Sequence, residues 1–239
     1  MKVYIYKPDS SGFQDDWLFA ADMGFKQLGA EVNYFDNINN IPYAPDTVVV
    51  GYIEDTIKYF ENNNIEYPKP LNIPDELNDA LFLKRHAKVI KFKKAKTVTT
   101  SIFIKPHNKL KSFDAGVVSS GSKLNYLLEL DDEELVFCSS VIDMKSEYRC
   151  FIYNGDFMNL KHYQGNPFIF PNVEKIQNMI KAYKSAPICY TLDVAINNVD
   201  ETLLVECNDF WSVGNYGLEP KLYAKMLRDR WFQLTGYKK

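Results

Sequence analysis

Apolar and polar positions follow two different periods over roughly the first third of the chain. Short apolar stretches at 2–6, 31–35 and 46–51 have the length and composition of β-strands, and the third is apolar enough for the centre of a sheet. Between and after them, apolar side chains recur every three to four residues over 15–29 and 53–64, which predicts two helices. This order predicts a small β-α-β-α-β unit with a parallel sheet. The unit contains no Gly-x-Gly-x-x-Gly motif, so the pattern does not indicate the usual dinucleotide-binding fold.

A proline-rich stretch at 67–74 separates this unit from the rest of the chain. We place a domain boundary inside it, which gives an N-terminal α/β domain of residues 1–72 and a second domain of residues 73–239. The chain length of 239 residues allows this division, because domains commonly hold about 100–200 residues.

The second domain opens with a concentration of positive charge. Seven lysine and arginine side chains lie within residues 84–96. They form either a solvated basic face or a wall that faces an anion, and for Arg85 we favour the solvated interpretation. A strand that ends in Lys105 and Pro106 is followed by a basic segment of the kind that can close over phosphate groups. Residues 116–123 contain Gly-Ser-Lys in place of Gly-Lys-Ser/Thr, so they do not form a P-loop.

The clearest hairpin signal surrounds the pair Asn154 and Gly155, a favoured two-residue turn between alternating strands. Glu147 and Arg149 are two residues apart, so they share one face of the first strand, and Lys161 lies on the second strand. Arg149 forms either a structural ion pair with a carboxylate or a ligand contact. Lys161 is either an exposed strand lysine or part of the same contact.

A second hairpin is predicted from ICYTLDVAI and TLLVEC, joined by the turn sequence NNVD. Asp193 and Glu206 are equidistant from the centre of this turn, so they would face each other across the ladder, with Asn208 on the same face as Glu206. Carboxylates among apolar neighbours require a positive partner, and Mg²⁺ accepts such oxygen ligands. The alternative is that the three are ordinary polar residues on a solvated face or in a turn.

Composition narrows the class of protein. Apolar residues make up 46% and charged residues 25%, as in soluble globular domains, and the net charge of −3 argues against a general nucleic-acid or anionic-membrane binder. No apolar run approaches the roughly 20 residues of a membrane span, and the N-terminus does not resemble a signal peptide. The four cysteines form no Cys-x-x-Cys pair, which favours buried free thiols and a cytoplasmic protein. Two of the many aromatic residues, Trp211 and Tyr216, follow the second hairpin and either gate a site or pack the loop.

The order of these elements resembles the ATP-grasp superfamily over essentially the whole chain, and most strongly over 101–217. It is most similar to a clade of small phage and bacterial proteins marked by one arginine and two lysines. The motifs that carry the resemblance are FIKP with Lys105, KSFDAG with Lys111, EYR with Arg149, LDV with Asp193, and LVECND with Glu206 and Asn208. The resemblance implies an ATP-grasp fold of the α/β and α+β class. Its small βαβαβ (pre-ATP-grasp) domain precedes two α+β parts, residues 73–136 and 137–239, which hold the nucleotide between them.

The resemblance also implies roles for particular residues. Two lysines would contact the nucleotide phosphates, a strand backbone would pair with the adenine edge, and a carboxylate would lie near the ribose. These are Lys105 and Lys111 for the phosphates, Val136, Phe137 and Cys138 for the adenine, and Glu147 for the ribose, with Arg149 and Lys161 completing the nucleotide site. The Mg²⁺ ligands would be Asp193, Glu206 and Asn208.

The activity implied is ATP-dependent ligation of a carboxylate to an amine through an acyl phosphate, with ADP as product. The substrates would be ATP and a small acid and amine, such as an amino acid or peptide. Catalysis would rest on positioning and on charge neutralisation by Mg²⁺, Lys105, Lys111 and Arg149, with no protein nucleophile. The short first domain leaves open whether the acceptor is a small amine or a protein terminus. The alternative is a catalytically silent, possibly phage-encoded, ATP-binding or interaction protein on the same fold.

Overall fold

The computed structural model describes residues 1–8, 12–108, 112–127 and 129–237. The N-terminal unit is a three-stranded parallel sheet with the order β2-β1-β3. Its elements are β1 (Lys2–Tyr6), α1 (Asp16–Gln27), β2 (Glu31–Phe35), β3 (Thr47–Val50) and α2 (Ile53–Asn62). The predicted strands, helices and parallel sheet are confirmed, but the order of elements is β-α-β-β-α and not β-α-β-α-β, because only a short 3₁₀ turn at Ile38–Asn40 lies between β2 and β3. Strand β3 is buried at every position.

A four-stranded antiparallel sheet follows, with the order β4-β7-β5-β6. Its elements are α3 (Ala80–Leu83), β4 (Ala87–Lys91), α4 (Phe92–Ala95), β5 (Ile102–Pro106), β6 (Gly116–Val118) and β7 (Leu135–Ser140). One face carries its own core, which includes Ile104, Leu124 and Val136. The division predicted between residues 136 and 137 falls inside β7, because the whole of that strand pairs within this sheet.

The third sheet is also antiparallel and has the order β11-β10-β8-β9. Its elements are β8 (Met144–Tyr153), β9 (Asp156–Gly165), α5 (Val173–Ala182), β10 (Cys189–Asn197), β11 (Thr202–Asp209) and α6 (Pro220–Thr235). The Asn154-Gly155 turn is confirmed, and both residues have the positive φ angles, 52° and 81°, that a tight hairpin turn of this type requires.

The C-terminal helix completes the core of the N-terminal unit. Helix α6 packs against α1, and Trp231 stacks on Phe60 of α2 with ring centroids 4.7 Å apart. The two helices approach closely at Gly24, where a Cβ atom would lie 1.9 Å from the carbonyl oxygen of Pro220. Packing therefore crosses the boundary placed at residue 72.

A buried ion pair fixes α6 to the end of β11. Arg230 donates from Nε and Nη2 to the two carboxylate oxygens of Asp209, at 2.7 and 2.5 Å. The four cysteines are buried free thiols, as expected. Among the described residues, no helix is long and apolar enough to cross a bilayer.

Candidate active site

A β-bulge sets the register of the hairpin formed by β10 and β11. Ile196 pairs with Thr202 next to the turn, but from the bulge onward Asp193 pairs with Glu206. The extra residue on β11 is Val205. Asp193 and Glu206 face each other as predicted, but for a different reason. The turn is centred on Val199, so a regular ladder would pair Asp193 with Val205. The extra residue at the bulge shifts this pairing by one residue, to Glu206.

Arg85, in the segment between α3 and β4, contacts this bulge. Its guanidinium donates to the carbonyl oxygens of Leu204 and Val205 at 2.6 and 2.9 Å. Burial lowers the pKa of Arg85 to about 10, against the pull of the Glu206 charge. The expectation that Arg85 is solvated was therefore wrong, because the outer edge of β11 leaves carbonyl groups that need a donor.

Four charged residues form one row across the third sheet. In register from β9 to β11 they are Lys161, Arg149, Asp193 and Glu206. Arg149 donates from Nε and Nη2 to the two carboxylate oxygens of Asp193, at 2.8 and 2.6 Å. Of the two interpretations of Arg149, the structure shows the ion pair. Lys161 lies directly opposite Arg149, and like charges at such a pair are unfavourable without an anion nearby.

Lys105 enters the same cluster from the opposite sheet. It lies at the end of β5, and its Nζ is 2.6 Å from Oε2 of Glu206. The side-chain amide of Asn208 donates to Glu206 at 3.0 Å and to Asp193 at 3.2 Å. Two cations and two anions are therefore linked through one amide, and the cluster joins the two antiparallel sheets.

Burial and pairing shift the protonation of these groups in different directions. Burial alone would raise the pKa of Glu206, but the charge and hydrogen bond of Lys105 outweigh it and lower that pKa. Burial raises the pKa of Asp193, and Arg149 opposes this shift. Burial also disfavours the charged form of Arg149, but its hydrogen bonds with Asp193 prevail and raise the pKa of Arg149. Of the two ion pairs, that of Lys105 with Glu206 is the more accessible to solvent, with 10% and 29% of the side chains exposed.

The donor set fits one hard cation at Glu206 and Asn208. A carboxylate and an amide oxygen are suitable ligands, and Asn208 offers its oxygen when its amide group rotates. Each oxygen of Asp193 accepts a hydrogen bond from Arg149, and its role as a direct metal ligand stays a prediction. Within the described residues, no group of three or more His, Cys, Asp or Glu side chains forms a metal site.

A cavity of about 500 Å³ lies between the two antiparallel sheets, beside this cluster. Glu147, Phe137, Lys105 and Glu206 all line it. Glu147 also accepts a hydrogen bond from the hydroxyl of Tyr163 at 3.0 Å. A space of this size with an apolar wall and convergent charges suits a ligand the size of a nucleotide.

The predicted adenine contact at β7 needs correction. The backbone of Val136, Phe137 and Cys138 lies between β4 and β5, so both of its edges are engaged in ladders. Val136 and Cys138 point into the core on the other face, and only the ring of Phe137 lines the cavity. The segment after the strand, residues 141–143, lines the cavity outside any strand and was missed.

A comparison with protein-family models finds one match. Residues 82–226 match the ATP-grasp domain of R2K clade family 2, which is more than half of the chain. The chain belongs to the R2K clade of the ATP-grasp superfamily. A search of curated proteins found no match.

Solved structures show the same ATP-grasp fold. D-cycloserine synthetase DcsG aligns with a TM-score of 0.60 and 10% identity, covering 96% of this chain and 99% of that chain. A RimK domain ATP-grasp protein from Sphaerobacter thermophilus DSM 20745 gives 0.58 and 13%, with 96% and 99% covered. D-alanine–D-alanine ligase from Bacillus anthracis gives 0.57 and 12%, with 98% and 96% covered. At these identities the likeness extends to the fold alone.

The remaining predicted site residues of this R2K-clade chain lie as follows. Lys111 is outside the described residues. Tyr216 covers Arg149, whose Cζ is 4.2 Å from the centre of the ring, so this aromatic side chain closes the cluster. Trp211 is buried against Phe60 in the N-terminal core and also lines two cavities. Of the side chains that sequence reasoning missed, Arg85 had no local signal, because its partners lie about 120 residues away.

Proposed function

We propose that this R2K-clade protein is an ATP-dependent ligase that joins a carboxylate to an amine. The single observation that carries the proposal is the ion pair between Lys105 and Glu206 at the wall of the 500 Å³ cavity. It brings a phosphate-binding cation and a metal-binding anion together from two sheets. Membership of the ATP-grasp superfamily supports the use of ATP.

The nucleotide would lie along the cavity with its base in the apolar part. Phe103, Phe137 and Met144 line that part, next to the strand-free segment 141–143. Glu147 would accept from the ribose hydroxyls. The triphosphate would then extend toward Lys105, with Arg149 and Lys161 adding positive charge and Lys111 contributing from the following basic segment.

Binding would exchange partners within the cluster. Lys105 would leave Glu206 for a phosphate oxygen, and Glu206 and Asn208 would then hold Mg²⁺. The metal, when bound, neutralises negative charge that develops on the transferring phosphoryl group. Asp193 would hold Arg149 in a fixed orientation, so that the guanidinium points at the reacting phosphate.

The reaction would begin when a carboxylate oxygen of the acid substrate attacks the γ-phosphorus of ATP. The bond to the β,γ-bridging oxygen breaks, and ADP and an acyl phosphate result. The amine nitrogen then attacks the acyl carbon, loses a proton and displaces inorganic phosphate. No protein nucleophile takes part: burial raises the pKa of Cys138 to about 11 and that of Cys207, beside Glu206, well above its ordinary value.

The test is ADP release from Mg²⁺ and ATP across a panel of amino acids and peptides, supplied singly and in pairs. We expect multiple-turnover ADP formation that requires both an acid and an amine. It should fall by about 100-fold or more in Lys105→Met, since removing one charge-stabilising group commonly has that effect. Lys88→Met, on the exposed side of β4, is the matched control. ADP formation that is equal in Lys105→Met would contradict the proposed role of the cluster.

A catalytically silent ATP-binding protein is the second candidate. The observation that favours it is that Asp193 and Glu206 are both neutralised by side chains of the chain itself. ATP binding without turnover across the whole panel would support this candidate. An acceptor that yields ADP together with an amide product would exclude it.

A further inference from the structure

A second cavity, of about 270 Å³, lies at the carboxyl end of the N-terminal sheet. Strand β1 is central, and the chain runs from it to β2 on one side and later to β3 on the other. The gap between the carboxyl ends of β1 and β3 is therefore the switch point, where open α/β sheets characteristically bind ligands. The walls are residues 51–53 after β3, the start of α1, and the segment after β11.

The lining of this crevice combines aromatic rings with one carboxylate. Trp17, Tyr52, Trp211 and Tyr223 line it, and Asp15 is the one charged residue among the lining residues that the structure describes. Trp17 and Tyr52 meet edge to face with ring centroids 5.9 Å apart. Aromatic faces next to a carboxylate favour a cation over an anion.

Asp15 has a position and an orientation that local structure does not explain. It occupies the N-cap of α1 but forms no side-chain hydrogen bond with the first turn of that helix. Its Oδ2 accepts instead from the hydroxyl of Tyr52 at 2.6 Å. This hydrogen bond raises the pKa of Tyr52 to about 12, so the phenol remains a donor.

The start of two helices at the crevice would by itself attract an anion. Both helices, however, carry acidic residues at that end. These are Asp15 and Asp16 at the start of α1, and Glu54 and Asp55 in the first turn of α2. The carboxylates offset the positive ends of the helix dipoles, so the field in the crevice favours a cation.

The crevice shares lining residues with a cavity beside the candidate active site. Trp211 and Ser212 line both the crevice and a third cavity of about 250 Å³. Lys105, Glu206 and Asn208 line that third cavity too. The crevice is therefore next to a cavity that the charged cluster also borders.

We propose that this crevice binds the ammonium group of an amine-bearing substrate, with Asp15 as its counter-ion and the rings of Trp17 and Tyr52 as its walls. That this ligand is a substrate rests on the ligase function proposed above, whereas the binding of an ammonium group in the crevice does not depend on that function. The ligand carries apolar carbon next to the positive nitrogen, because most of the lining is aromatic or aliphatic.

The experiment is calorimetric titration of the intact protein at pH 7, without nucleotide, with n-butylamine, n-butanol and sodium butyrate. These probes share one carbon chain and differ in charge. We expect saturable binding of the protonated butylamine alone. Asp15→Asn should weaken it by about fivefold or more, as expected for loss of one partly desolvated charge contact. Asp156→Asn, an exposed carboxylate at the start of β9, is the control and should remain within about twofold of wild type.

A second variant keeps the test valid if Asp15→Asn fails to fold. Tyr52→Phe removes the hydroxyl that occupies Asp15 and should bind butylamine at least as tightly as wild type. Saturable butyrate binding, equal butylamine affinity in wild type and Asp15→Asn, or no saturation by any probe would each overturn the proposal. If butylamine binds as expected but no substrate pair yields ADP, the crevice stands and the ligase function fails.

Discussion

Lys105 and Arg149 supply the positive charge that two buried or half-buried carboxylates would otherwise need from a ligand or a metal. Each forms an ion pair with a carboxylate of the β10–β11 hairpin, and Asn208 links the two pairs. Buried pairs add little net stability, but removal of one partner leaves an uncompensated charge. The two pairs differ in access, because the Arg149–Asp193 pair is buried, whereas Glu206 is 29% exposed. We therefore expect the first pair to stay intact and to orient Arg149, and the second to exchange partners.

Replacement of Arg149 by Met should destabilise the fold by roughly 3–5 kcal/mol, because Asp193 would remain buried without a cation. Urea unfolding at pH 7 measures this. The double variant Arg149→Met with Asp193→Leu should regain most of the loss, because an apolar pair of similar volume replaces the ions. Equal losses of stability in the single and double variants would show that the unpaired Asp193 charge is not the cause of the destabilisation.

The pair of Lys105 and Glu206 predicts a pH dependence of stability. The pKa of Glu206 is lowered in the folded state, so its contribution is fully present above the ordinary glutamate pKa of about 4.3 and is lost as pH falls through the folded value. The melting temperature of wild type should exceed that of Glu206→Gln at pH 7. This difference should shrink as pH falls below about 4.3, and a difference that grows there would contradict the sign of the shift.

At the scale of elements, the edge strand β11 determines the geometry of the site. Its bulge at Val205 turns Glu206 toward Asp193, and Arg85 satisfies the carbonyl groups on its outer edge. The hairpin and the shared face of Glu206 and Asn208 were predictable, because turn residues separate two apolar strands and side chains alternate along a strand. The pairing of Asp193 with Glu206 depends on the bulge. The bulge and the contacts of Arg85 were not predictable, because they depend on packing between distant parts of the chain.

Substitution of Arg85 by Ala should cost about 2 kcal/mol of stability, since two carbonyl groups lose a charged donor. It should also weaken nucleotide binding, because Glu206 follows directly after the bulge. Chemical denaturation and calorimetry with ATP and Mg²⁺ measure the two effects. Lys88→Ala removes an exposed positive charge on β4 and should alter neither the stability nor the nucleotide binding. An Arg85→Ala variant as stable as wild type would show that the bulge does not need the contacts of Arg85.

At the scale of the whole molecule, the chain returns to its starting domain. Helix α6 packs into the core of the N-terminal sheet. The ion pair between Arg230 and Asp209 fixes it to β11, a strand of the candidate active site. Local periodicity predicted the three strands and two helices of this unit. It did not show that this unit needs a helix from the other end of the chain, because periodicity reveals an apolar face and not its partner.

Gly24 tests this long-range packing. Alanine normally stabilises a helix by about 1 kcal/mol over glycine. At this position the added Cβ would meet the backbone of Pro220, so Gly24→Ala should instead lose about 2 kcal/mol or more. Gly116→Ala, where a Cβ meets nothing within 4 Å, is the control and should be close to neutral. A thermal melt that ranks the two variants in the opposite order would contradict the packing of α1 on α6.

We expect the cluster between the two antiparallel sheets to bind nucleotide together with Mg²⁺. The most direct test is calorimetric titration of the protein with ATP, with and without Mg²⁺. We predict Mg²⁺-dependent binding that is at least about tenfold weaker in Glu206→Gln with Asn208→Ala, a loss of about 1.4 kcal/mol, and unchanged in Asp200→Asn, an exposed residue in the turn of the same hairpin. Binding that is no weaker in the double variant than in wild type would contradict the account.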